Sequence, residues 1–224
     1  MGIKTIKVAE DILSANDKLS ESLRNIFRAH NVFVMNLMSS PGAGKTSVIL
    51  RIIEILGKRY KIGVIEGDIT SDVDAQKVGQ TNVDVVQINT NGACHLDANM
   101  ILSATETLVL DGKDLLIIEN VGNLVCPAEF HLGENVKIMI LSIPEGHDKP
   151  LKYPLMFTES QALILNKIDL LPYTDFDMEQ LRKTVLAMNP SLEIFPVSAK
   201  SGEGFDRLTT WLEEKMTEQL ARPS

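Results

Sequence analysis

Seven short apolar runs punctuate the chain: "VFVMNLM" (32–38), "KIGVIEGD" (61–68), "VDVVQIN" (83–89), "DLLIIEN" (114–120), "VKIMILS" (136–142), "QALILNK" (161–167) and "LEIFPVSA" (192–199). Stretches with helical spacing separate them, the alternation that stacked βα units produce. Runs such as "LLIIE" and "IMILS" are apolar on both faces, as strands covered by helices on both sides must be. The pattern predicts a three-layer, doubly wound α/β fold with a mostly parallel sheet. Ahead of the first run, "AEDILSANDKLSESLRNIFRAHN" places Ile12, Leu13, Leu19, Leu23, Ile26 and Phe27 near helical spacing and stops at Asn31. Residues 1–31 are therefore expected to carry a leading amphipathic helix. No internal repeat and no linker rich in Pro, Gly or Ser divides the chain, so a single domain over 1–224 is expected. "LPYTDFD" and the tail "ARPS" read as a surface loop and a frayed end.

The totals narrow the function classes. A chain of 224 residues that is 44% hydrophobic can bury a sizeable core. A formal net charge of −8 argues against nucleic acid as a partner, because phosphate neutralisation needs a basic surface. Two cysteines cannot form a disulfide framework, and the opening residues lack an apolar core with a small-residue cleavage site. No apolar stretch approaches membrane-spanning length, and Ile6 stands where a myristoylation signal wants Ser or Thr. A cytoplasmic protein with no membrane partner is expected.

Chemistry enters with "MSSPGAGKTSVIL", which runs from a strand through a glycine-containing turn into a helix. Backbone N–H groups of the Ser40–Gly44 turn, all but that of Pro41, which has none, and of the helix start would converge on phosphate oxygens, with Gly42 and Gly44 letting the chain come close beside Ala43. Lys45 would reach the terminal phosphates, and Thr46, followed by Ser47, offers a hydroxyl for Mg²⁺. The usual pattern opens with Gly six residues before the Lys, and here Ser39 stands there. A tight turn with an incidental lysine is the competing reading.

Farther along, "ALILNKIDLL" ends a buried run in Asn166, Lys167 and Asp169, the Asn-Lys-x-Asp order of guanine-reading GTPases. A carboxylate at Asp169 accepts from guanine N1–H and N2–H₂ together, a donor pair adenine lacks. The Lys167 stem can cover the base. "FPVSAKSGEGF" resembles the second base loop through Ser198, Ala199 and Lys200. Between the glycine turn and these two motifs, "DLLIIENVGNL" supplies Glu119 and Gly122 where GTPases carry Asp-x-x-Gly, and "IEGDITSDVDAQ" offers Asp68, Asp72 and Asp74 in the place of a switch loop. Asp68 and Asp74 are the candidates for the metal or the attacking water, with Lys45 and Glu119 completing the catalytic set. Asn123 follows Gly122 where Ras-like GTPases position water with Gln, so slow intrinsic hydrolysis is expected.

The two cysteines are Cys94, adjacent to His95 in "TNGACHLDANM", and Cys126 in "ENVGNLVCPAEF". Each follows a predicted strand, so the sulfurs can meet if those strands are neighbours. Thiolates and an imidazole suit Zn²⁺ or Ni²⁺. Three ligands leave a position for water or for a second chain, which makes a metal-linked homodimer a hypothesis. Buried packing of both cysteines is the alternative; a redox disulfide is disfavoured in a reducing compartment. His30, His131 and His147 read as surface or capping residues.

Taken together, "SSPGAGKT", "EGDITSDVDAQ", "ACHLDA", "ENVGNLVCPAEF", "NKIDL" and "SAKSGEGF" resemble the hydrogenase nickel-incorporation GTPases, the HypB family, over nearly the whole chain. The resemblance implies a P-loop NTPase of the SIMIBI type that hydrolyses GTP and helps load nickel into the [NiFe]-hydrogenase large subunit. It further implies nucleotide-linked homodimerisation, with Cys94, His95 and Cys126 as interfacial ligands for Ni²⁺ or Zn²⁺. Thr46, Asp74 and Glu119 would surround Mg²⁺, and a HypA-type metallochaperone would be a partner. Some members carry an N-terminal cysteine motif or histidine-rich stretch; neither precedes the P-loop here, so tight nickel storage is not expected. Three alternatives stand beside it. A urease accessory GTPase would carry Cys-Pro-His where Cys94 and His95 are adjacent, a nucleotide-gated signalling module would use the cysteines for packing, and an ATP-dependent small-molecule kinase conflicts with Asp169.

Overall fold

The computed structural model describes residues 8–68, 73–81 and 83–220. In chain order the elements are α1 (Val8–Ala29), β1 (Phe33–Ser39), α2 (Lys45–Leu56), β2 (Ile62–Asp68), α3 (Val73–Gly79), β3 (Asp84–Asn89), α4 (Ala98–Thr105), β4 (Leu115–Glu119) and α5 (Cys126–Glu129). Then follow β5 (Val136–Ser142), α6 (Lys149–Lys152), α7 (Pro154–Thr158), β6 (Ala162–Asn166), α8 (Met178–Met188), β7 (Glu193–Pro196) and α9 (Phe205–Leu220). All seven strands form one sheet in the order β3-β2-β4-β1-β5-β6-β7. Every pairing among them is parallel. The doubly wound α/β expectation holds.

Strand residues alternate between the faces, and each face has its own apolar cover. Met35, Leu37, Ile117 and Ile138 pack with Ile49 and Ile52 of α2 and Leu208 and Leu212 of α9. On the opposite face, Val34, Leu116 and Ile118 meet Leu23 and Phe27 of α1 and Ile101 of α4. Met139, Leu141 and Leu163 meet Phe157 of α7 and Leu181 of α8. Covering both faces is what lets β1, β4, β5 and β6 be buried at every position.

The leading helix forms as its spacing predicts and ends where Asn31 adopts φ 56°. One apolar position departs: Ile12 is 53% exposed. The stretch expected as a loop at "LPYTDFD" begins instead inside a 3-10 turn, Ile168–Tyr173, because Pro172 is compatible with its tight backbone. The tail "ARPS" lies outside the described residues. No helix among the described residues is long and apolar enough to cross a membrane.

Candidate functional site

Ligands of open parallel sheets sit beyond the carboxyl ends of the strands, and the sequence-predicted residues collect there. β1 feeds the Ser40–Gly44 turn, in which Gly42 and Gly44 take φ 77° and 98°. Gly44 tolerates no side chain, since a Cβ there would lie 2.6 Å from Asn166 Nδ2. Lys45 Nζ donates to Ser39 Oγ at 3.0 Å, and Ser39 Oγ donates to the Ser40 carbonyl at 2.6 Å. The serine that replaces the customary glycine thus anchors the lysine from a buried position. Ser40 Oγ donates to Glu145, whose other oxygen accepts from the Ser142 N–H and hydroxyl at 2.7 Å each. Pro41 and Ser47 are exposed on either side of the turn.

Asn166 ties three loops together at the other end. Its Nδ2 donates to the Ala43 carbonyl at 3.0 Å, while Oδ1 accepts from Lys167 N–H at 2.8 Å and Ala199 N–H at 3.1 Å. Lys167, at φ 64°, stretches back to give Nζ to the Gly42 carbonyl at 2.7 Å. Ser198 Oγ donates to Asp169 Oδ1 at 2.7 Å, which fixes the carboxylate's direction. Arg51 on α2, a residue no motif pointed to, donates to the Ala199 and Lys200 carbonyls at 3.0 and 3.1 Å.

Between these loops and β2 opens a cleft of about 240 Å³, with Lys45 on one side and Glu66, Asp68 and Glu119 on the other. Thr46 Oγ1 donates to Glu119 Oε1 at 3.2 Å. A hydroxyl and a carboxylate so placed fit a hard cation that takes oxygen ligands. Glu66, also missed by motif reading, is the register neighbour of Glu119. Gly122 approaches the Ser40–Gly44 turn so closely that a Cβ would lie 3.1 Å from Pro41. Asp72 lies outside the described residues, and Asp74 has only its backbone described, on α3.

Beside this cleft, Cys94 Sγ lies 3.1 Å from Cys126 Sγ and 3.7 Å from His95 Nδ1. Ligand atoms of the three fall within 4.8 Å of one another, and all three residues are partly buried. Both cysteines are free thiols. One tetrahedral ion with Zn–S near 2.3 Å and Zn–N near 2.0 Å needs donors about 3.5–3.8 Å apart. The 3.7 Å sulfur–nitrogen spacing meets this, the 3.1 Å sulfur–sulfur spacing is shorter, and the donor types suit a borderline divalent ion. The expected neighbouring of the two strands does not occur, since β2 separates β3 from β4. What brings the sulfurs together is the loop 90–97, which crosses over the end of β2. Leu96 lies on Gly67, where a Cβ would sit 2.7 Å from the leucine side chain.

The surroundings fix the cluster. The His95 ring stacks on Phe130 with centroids 3.9 Å apart. Burial holds the His95 pKa below its ordinary value against the opposing charges of Asp97 and Glu129. The hydrogen bond with Cys94, then burial, pushes the Cys126 thiol up to about 11. Asn16, buried on the apolar face of α1, donates to the His131 carbonyl at 2.9 Å and accepts from Ala98 N–H at 2.8 Å. It spans the segments that follow Cys94–His95 and Cys126. Below α5, buried Lys137 donates to the Ala128 carbonyl at 2.7 Å and lies 3.8 Å from buried Glu134. His131 also lies 3.8 Å from Glu134, His30 pairs with Asp111, and His147 accepts the Asp177 N–H at 3.1 Å.

Residues 33–196 match the family model of the CobW/HypB/UreG nucleotide-binding domain. A hydrogenase maturation factor HypB from Azotobacter vinelandii is 49% identical over 217 residues, covering 97% of this chain and 72% of that protein. The crystal structure of HypB from Helicobacter pylori in complex with nickel superposes with a TM-score of 0.88 at 38% identity, covering 91% of this chain and 96% of that one. HypB from Archaeoglobus fulgidus gives a TM-score of 0.85 at 35% identity, with 91% and 99% covered. The chain belongs to the CobW/HypB/UreG family of P-loop NTPases and, within it, to the HypB hydrogenase maturation factors.

Proposed function

We propose that this chain is a GTP-hydrolysing metallochaperone that helps insert nickel into the [NiFe]-hydrogenase large subunit, with GTP and metal binding coupled to homodimerisation. The observation that carries the reading is the adjacency of two sites at the carboxyl end of one sheet: Cys94, His95 and Cys126 converge, and Leu96, next to His95, touches Gly67 and Asn120, which line the cleft with Lys45 and Glu119. The nickel complex of the Helicobacter pylori relative supports nickel as the cargo. Zn²⁺ suits the same donors.

In this reading residues 1–224 act as one GTPase unit. Residues 40–47 wrap the phosphates, and Asp169 reads guanine beneath the loop of Ser198, Ala199 and Lys200, with Asn166 bracing all three loops. Mg²⁺, when bound, supplies charge neutralisation at the β- and γ-phosphates, and Thr46, Asp74 and Glu119 are the residues that would hold it. Lys45 reaches the terminal phosphates, and Asp68 and Asp74 orient the attacking water. Asn123 does not replace a water-positioning Gln, so hydrolysis is slow. Cys126 lies four residues past Gly122, so the segment that senses nucleotide also carries a metal ligand. A second copy supplies the missing coordination position in the dimer. A HypA-type metallochaperone and the hydrogenase large subunit are the partners, in the cytoplasm.

The test is solution mass and metal retention with GDP or a non-hydrolysable GTP analogue, each with and without stoichiometric Ni²⁺ or Zn²⁺. A dimer favoured by analogue plus metal and lost in Cys94→Ala is the expected result. A mass that ignores metal, with Cys94→Ala indistinguishable from the parent, would return both cysteines to packing.

A further inference from the structure

The two halves of the thiol–imidazole cluster are wired differently to the nucleotide cleft. Cys126 continues covalently from Glu119 and Gly122, so any shift of that segment reaches it along the chain. Cys94 and His95 arrive from β3, and only non-covalent contacts can pass such a shift to them. One wholly buried side chain makes the crossing. Asn120 Oδ1 accepts the N–H of Leu96, the residue after His95, at 3.1 Å, together with the N–H of Val121 at 2.9 Å. Its Nδ2 donates to Asn36 Oδ1 on β1 at 3.2 Å, and its backbone N–H donates to the Leu37 carbonyl at 3.0 Å. Asn36 Nδ2 has no hydrogen-bond partner among the described residues.

We infer that Asn120 is the positioning residue through which nucleotide state reaches the Cys94–His95 half of the metal site, an inference that rests on the nucleotide-gated reading above. Asn120 sits between Glu119, which holds the Thr46 hydroxyl, and the Val121–Gly122 step that packs on Pro41. Leu96 and Asn120 are both 0% exposed, so water cannot replace the bond between them. When the 119–122 segment shifts, Leu96 and with it His95 must follow or lose a buried partner. The idle Asn36 amide gives Asn120 an alternative contact on β1, so the side chain can turn without stranding its oxygen. Asn16 is the internal contrast: it grips both metal-bearing segments beyond the cluster, and neither of these hydrogen bonds goes to a residue of the cleft.

The experiment measures Ni²⁺ affinity of the full chain by chelator competition, with GDP and with a non-hydrolysable GTP analogue, in the parent, Asn120→Ala and Asn16→Ala. Melting temperature and GDP affinity serve as fold checks. In the parent the two affinities should differ on the order of tenfold, in the range of ordinary allosteric coupling. In Asn16→Ala both should weaken together with their ratio preserved. In Asn120→Ala the ratio should collapse to within about twofold while GDP still binds. Should Asn120→Ala fail to fold, Asn120→Ser takes its place with the same expectation, since its hydroxyl is one bond too short for Leu96. A parent ratio of one defeats the nucleotide-gated reading itself. A parent ratio retained in the Asn120 variant overturns only the assignment of Asn120.

Discussion

The nucleotide cleft and the thiol–imidazole cluster share the carboxyl edge of one sheet but are assembled by opposite means. In the cleft, the residues that would touch the ligand also brace one another: Lys45 rests on Ser39, Lys167 on Gly42, and Asn166 on Ala43 and Ala199. In the cluster, the thiol and imidazole side chains hold, among the described residues, each other and a phenyl ring, while Asn16, Asn120 and Lys137 fix the backbone around them. The difference teaches that the cleft is organised before ligand arrives. The cluster's geometry is instead set by whatever moves its two loops.

Mirror-image substitutions should break that comparison hardest. Asp169→Asn removes charge-assisted hydrogen bonds worth about 1.5–3 kcal/mol each, so preference for GTP over ATP should fall on the order of 100-fold, with metal affinity unchanged. Competition between labelled guanine and adenine nucleotides reads this directly, and undiminished discrimination would sink the assignment. Cys94→Ala deletes a ligand, where even supporting residues cost about 10–100-fold in metal affinity. Its loss should reach at least the upper end of that range, with GDP binding intact. Joint loss of both functions would mean that the thiol is a packing residue.

The pH dependence should separate the two regions next. The Cys126 thiol keeps its proton up to about pH 11, so metal must displace it. His95, its pKa lowered by burial, is already neutral above its ordinary value and releases nothing there. Metal affinity should therefore rise about tenfold per pH unit across neutrality for the Cys126 proton alone, and fall as pH drops. The named cleft residues include no His or Cys, so GDP affinity should stay nearly level over the same interval. A level metal curve would remove Cys126 from the ligand set.

A smaller effect is expected at Gly67, whose bare Cα lets the loop 90–97 cross β2. Gly67→Ala pushes a methyl to 2.7 Å from Leu96, and overpacking of this kind costs about 1–3 kcal/mol. Metal affinity should drop roughly tenfold as the Cys94–His95 loop lifts, with a smaller change in nucleotide affinity. Equal losses at both sites would show that the two loops are not separable.

Gly67 also marks the limit of what the sequence discloses. The strands, their parallel pairing and the loops that follow β1, β6 and β7 were legible because each is a local pattern: an apolar run, a glycine turn, four residues in fixed order. The meeting of Cys94 with Cys126 was legible only as a possibility. The condition attached to it, neighbouring strands, fails, because a glycine two elements away supplies the route. Asn120 lay inside "ENVGNL", read for Glu119, Gly122 and Asn123 alone. Asn16 did leave a trace, as a polar residue at an apolar-face position of α1. Arg51 left none, since a surface arginine on a helix carries no sign that its partners are carbonyls of a loop near position 200.

Arg51 gives the mildest test of the contrast, and the one most specific to how the cleft is braced. Its guanidinium holds the Ala199 and Lys200 carbonyls from α2, the helix that begins with Lys45, and also pairs with Glu54 at 2.5 Å. The pair with Glu54 is solvent-exposed and worth little, so the effect of Arg51→Ala should come through the loop. Neutral carbonyl acceptors contribute about 0.5–1.5 kcal/mol each, which predicts a several-fold loss of GDP affinity with guanine preference kept, because Asp169 and Ser198 are untouched. Arg51→Lys can hold one carbonyl but not two in a fixed fork, and should fall between parent and alanine. If neither variant changes nucleotide affinity, the bracing of the base loop rests on Asn166 alone.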